Sequence, residues 1–100
     1  MIKIEVEIKE KNRTDVEILL DNCFLNNKIN TKCNITKQIH GNSIFYIGDG
    51  GKSDYSCFAL GVFKLKEYDM NSLFRKFLWY NDHDLGGEFC VENFQESNYW

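Results

Sequence analysis

Beyond Lys76 the chain contains no lysine or arginine. Residues 77–100 carry Asp82, Asp84, Glu88, Glu92 and Glu96 and not one basic side chain. That absence disfavours direct nucleic-acid binding, because phosphate backbones are held by cations. The remaining basic residues are scattered, and most lie in the first half among an equal number of acids. No CxxC pair occurs among Cys23, Cys33, Cys57 and Cys90, which argues against a zinc knuckle. No run of 18 or more apolar residues exists, so no membrane span is expected. Proline is absent as well, which says nothing about function.

What is present describes a globular chain. Apolar residues make up 43% of the 100, too many for a disordered segment. One domain spanning residues 1–100 is expected, since either half alone would bury too small a core. The N-terminus alternates charged with apolar residues, where a signal peptide would have an unbroken apolar stretch. The expectation is a cytoplasmic protein with its cysteines as free, mostly buried thiols.

Residues 2–9 alternate strictly, with Ile2, Ile4, Val6 and Ile8 on one face, as in a half-buried strand. Thr14 and Glu17 form a capping box ahead of a helical stripe, Val16, Leu19, Leu20, Cys23 and Phe24. Residues 29–35 alternate more weakly. Gly41-Asn42 reads as a turn and 44–47 as a short strand. Asp49-Gly50-Gly51 reads as a hairpin turn leading into a long central strand over 55–65. A second helix is expected over 69–80, from the stripe Met70, Leu73, Phe74, Phe77 and Leu78 and a cap at Asp69. Gly86-Gly87 breaks the chain before a last strand at 89–91. The resulting order, β-α-β-β-β-α-β, implies an α+β fold. Its mainly antiparallel sheet has about five strands with two helices on one face, a ferredoxin-like variant.

Nothing in this pattern assembles a catalytic set. Gly48-Asp49-Gly50-Gly51-Lys52-Ser53 resembles the end of a phosphate-binding loop, but Tyr46 stands where the first glycine belongs, and a strand is expected after it. Asp82-His83-Asp84 lacks a second ligand cluster for a metal, so no metal and no cofactor are expected. Cys90 lies between Glu88 and Glu92, whose charges raise a thiol's pKa, the wrong direction for a nucleophile.

The acidic C-terminal quarter is the strongest functional feature. Its carboxylates are set among Trp79, Tyr80, Phe89, Phe94, Tyr99 and Trp100. In a strand, Glu88, Glu92 and Glu96 point the same way, spaced by about 13 Å. Aromatic groups anchor tight interfaces, and carboxylates speed encounter with a basic surface. The expected partner-binding residues are Trp79, Tyr80, Asp82, Asp84, Glu88, Glu92, Phe94, Glu96 and Trp100. The expected function is inhibition of a basic, nucleic-acid-processing protein by stoichiometric binding. The partner would be a toxin nuclease met by an immunity protein, or a host defence nuclease such as a CRISPR effector met by a phage inhibitor. The alternative is a small enzyme or ligand-binding domain with a pocket between helices and sheet.

Overall fold

The computed structural model describes residues 2–9, 13–26, 33–49, 51–82 and 89–93, with only the backbone for 80–82 and 89–93. The chain runs β1 (Ile2–Ile8), α1 (Arg13–Phe24), β2 (Thr36–His40), β3 (Ser43–Gly48), α2 (Lys52–Leu65), α3 (Met70–Leu73), β4 (Phe74–Asp82) and β5 (Phe89–Asn93). The five strands form one sheet in the order β2-β3-β1-β4-β5, and every pairing is antiparallel. The first four in this order, with two helices on one face, make a ferredoxin-like sandwich. β5 extends it past β4. The fold is α+β, as the sequence predicts.

β1 takes the centre because its alternation is complete. Ile2, Ile4, Val6 and Ile8 are buried, and they face the helices together with Ile44 and Tyr46 of β3 and Phe77 and Trp79 of β4. On the other face Lys76 pairs with Glu5 at 2.8 Å, and the Lys3 ammonium lies 5.5 Å from the centre of the Phe45 ring. α1 buries Val16, Leu20, Cys23 and Phe24, the expected stripe, with Leu19 partly covered. It begins at Arg13, so Thr14 lies inside the first turn and does not cap it. Gly41 forms the β2–β3 turn with φ of 61°, a backbone region that glycine enters at little cost.

Three expected elements are corrected. Residues 55–65 are not a central strand: they belong to α2, whose buried positions Asp54, Cys57, Phe58, Gly61, Val62 and Leu65 follow the helical period. The long helix expected over 69–80 is one turn, α3, followed by β4. Asp69 does start that turn, accepting the Ser72 hydroxyl at 2.6 Å. The second strand begins at Thr36, after the alternating stretch 29–35. Residues 33–35 are irregular, and 29–32 lie outside the described residues. The element order is therefore β-α-β-β-α-α-β-β. Gly86-Gly87 also lies outside the described residues.

A polar network ties α1 to the β2 side of the sheet. The fully buried Tyr46 donates its hydroxyl to Asp21 at 2.7 Å, and Lys37 of β2 reaches both Glu17 and Asp21. Burial raises the Tyr46 pKa above its ordinary value, and the hydrogen bond to Asp21 adds to the rise. At Lys37 burial acts to lower the pKa, but hydrogen bonds to Glu17 and Asp21 outweigh it and the net shift is upward. A raised folded pKa confers stability that is complete below the unfolded value and is lost as pH climbs through the folded one. Denaturant unfolding should therefore show falling stability above about pH 10, where an unfolded tyrosine ionises. Tyr46→Phe should flatten that fall; an unchanged slope would remove Tyr46 as its source.

Candidate partner-binding surface

Two stretches of the acidic quarter, 77–82 and 89–93, lie in β4 and β5 on one side of the sheet. β4 and β5 pair through Trp79 with Glu92, Tyr80 with Val91 and Asp82 with Phe89, and β5 forms the edge. Antiparallel pairing thus brings Asp82 and Glu92, ten residues apart in sequence, onto adjacent strands. Asp84, Glu88, Phe94, Glu96 and Trp100 lie outside the described residues. For Tyr80, Asp82 and Glu92 the backbone position alone is described.

Trp79 is placed differently from the expectation. It pairs with the core residue Ile4, turns toward the helices and is 8% exposed. Its ring lies 5.6 Å from that of Tyr55 on α2. A side chain committed to the protein's own core offers no contact area to another molecule. One exposed ring, that of Tyr55, lies against it instead. α2 presents Tyr55 (42% exposed), Leu60 (40%) and Phe63 (67%) to the outside, whereas a central strand over 55–65 would bury all three. Tyr55 connects this helix surface to β4 through Trp79. The missed signal was the helical period itself, since α2 is apolar on both its faces.

The glycine-rich segment after β3 also changes meaning. A strand leads into it and a helix leaves it, with Gly51 at the helix cap. The objection that no helix follows is therefore overturned. The charge of the loop still opposes a phosphate. Asp54 in the first turn of α2 is buried and accepts the Asp49 amide at 3.0 Å and the Asn34 amide at 2.8 Å. Its carboxylate takes two backbone donors that a phosphate would need and adds a negative charge that repels one. Gly48 permits this fit, since a Cβ there would lie 3.0 Å from the Asp54 Cβ.

The three cysteines whose side chains are described are of two kinds. Cys33 and Cys57 form a disulfide, contrary to the expectation of free thiols. Cys23 is free and buried, and desolvation raises its pKa, partly countered by the Lys64 charge. It lines a cleft of about 320 Å³ between α1 and the end of α2, with Leu19, Asn22, Lys64, Glu67 and Tyr68. A thiol held in its neutral form is a poor nucleophile. His40 is exposed and sits edge-on to Phe45, while His83 lies outside the described residues. Among the described residues, no three His, Cys, Asp or Glu side chains gather closely enough to hold a metal ion. No described helix is long and apolar enough to cross a membrane.

Comparison with family models, curated proteins and solved structures finds no match to this chain.

Proposed function

We propose that this chain is a small binding protein that inhibits a basic, nucleic-acid-processing protein by occupying its positively charged surface. The observation that carries the reading is the position of the cation-free segment. Residues 77–100 hold only acidic charge, and the described parts of this segment, 77–82 and 89–93, lie side by side in β4 and β5, after Arg75 and Lys76 at the start of β4. Tyr55, joined to that hairpin through Trp79, supplies the exposed ring that Trp79 itself does not. Asp82, Asp84, Glu88 and Glu92 pair with lysine or arginine of the target. Tyr80, Phe94, Glu96 and Trp100 complete the contact.

Two settings fit this chemistry. One is an immunity protein that neutralises a toxin nuclease; the other is a phage protein that blocks a host defence nuclease such as a CRISPR effector. Both place the protein in the cytoplasm. The neighbouring gene separates them: a toxin gene indicates the first, a phage operon the second.

Capture from the native host followed by mass spectrometry names the target. Titrating this protein against the target's activity then tests the reading. Inhibition should rise linearly and end at one equivalent, as tight occupancy requires. Complete inactivation at a small fraction of an equivalent would mean turnover and favour an enzyme.

A further inference from the structure

We infer that Cys33–Cys57 is a reversible redox clip that holds residues 33–35, and the edge strand β2 that follows them, against the start of α2. The inference does not depend on the partner reading above.

Two ties meet at this corner. The disulfide joins the irregular segment before β2 to the second turn of α2, across a separation of 24 residues. Asp54, one helical turn before Cys57, accepts the backbone amide of Asn34, the residue after Cys33. The same carboxylate accepts the Asp49 amide, so the exit of β3 is tied to the same point. β2 itself has few other attachments. Among the described residues it pairs with β3 alone, most of its residues are exposed, and Lys37 provides its ion pairs to α1. A strand held this lightly opens at lower cost than the sheet centre. The covalent link therefore has the greatest influence here.

The two sulfurs differ in access. Cys57 is fully buried, while Cys33 is half-buried. A dithiol reductant therefore attacks the Cys33 sulfur and expels the Cys57 thiolate, leaving a mixed disulfide on Cys33. The reductant's second thiol then displaces Cys33 and closes its own disulfide. Two electrons and two protons pass to the protein, and Cys33 and Cys57 become thiols. The Ser53 carbonyl, 3.4 Å from the Cys33 sulfur, is a ready acceptor for the new thiol. A disulfide oxidant such as oxidised glutathione reverses the steps. A protein moved between reducing and oxidising surroundings would thus open and close this corner while the core of β1 and β4 stays paired.

Amide hydrogen exchange on the full chain tests the clip, comparing protein equilibrated with oxidised glutathione, the same protein reduced with dithiothreitol, and Cys33→Ser. Alkylation under denaturing conditions counts the thiols in each sample. The oxidised sample should lack free thiols at Cys33 and Cys57. In both the reduced protein and Cys33→Ser, amides over residues 34–40 and at Asp49 should exchange at least about tenfold faster. Amides of β1 and β4 should keep their rates. Equal acceleration throughout the sheet would show a general loss of stability and overturn the proposal. So would unchanged exchange on reduction, or thiols at Cys33 and Cys57 that persist in oxidised glutathione.

Discussion

Val62→Asp is expected to lower folding stability by about 4 kcal/mol or more, the range reached when an unpaired charge enters a core. Phe63→Asp, one residue later, should change it by only about 0.5 kcal/mol, as surface substitutions do. The difference follows from the helix. Val62 lies against the core with Phe58 and Leu65, while Phe63 points outward and is 67% exposed. A central strand over the same residues would bury both side chains, one on each face. Denaturant titration of the two variants therefore tests the nature of residues 52–65 directly. Equal losses would favour the strand.

Gly61→Ala should cost about 2 kcal/mol, although alanine is the better helix former by roughly 1 kcal/mol. Gly61 is where α2 meets α1. A Cβ there would come within 2.5 Å of the Phe24 ring and 2.8 Å of the Cys23 carbonyl oxygen. The ring is held in the core between Tyr46 and Phe58, at centroid distances of 5.2 and 5.7 Å, and the carbonyl belongs to the backbone of α1. Neither can give way without moving the helices apart, so the steric term outweighs propensity. Thermal unfolding should show a midpoint roughly 10 °C lower. A higher midpoint, as expected for an open helical glycine, would contradict the close crossing.

Much of the fold is legible in the sequence where one period stands alone. β1 shows pure alternation, and α1 shows one stripe, with Ile18 the one large apolar residue off it. The alternation predicts β1, the stripe predicts the buried face of α1 but not its start, since Thr14 lies inside the first turn, and together they give the α+β class. The exchange of helix and strand between 52 and 82 has two physical causes. Tyr55, Leu60 and Phe63 add apolar groups to the outer face of α2, so both periods fit the run. In β4, Glu7 pairs with Lys76 but Ile8 pairs with Phe74, which leaves Arg75 as an extra residue in a bulge. The bulge sets the buried Phe74 and Phe77 three residues apart, a spacing that imitates a helix. Leu78 completes the imitation from the opposite face of the sheet.

The candidate site was less legible. The charge asymmetry is a matter of composition and needs no fold, but the direction of each ring does. Trp79 was expected as a contact and lies in the core because it pairs with Ile4. Tyr55 was expected in the core and is exposed because it belongs to a helix. The disulfide could not be read from spacing, since Cys33 and Cys57 meet only after α2 has turned back over the sheet.

The association rate of the doubly reversed variant Glu88→Lys/Glu92→Lys with the captured partner is the most direct measurement of the acidic surface. At low salt it should fall about tenfold or more, and its dependence on ionic strength should become shallower, with the thermal midpoint of the free protein little changed. An association rate equal to that of the unaltered chain, at every salt concentration, would contradict the assignment of these carboxylates to the interface.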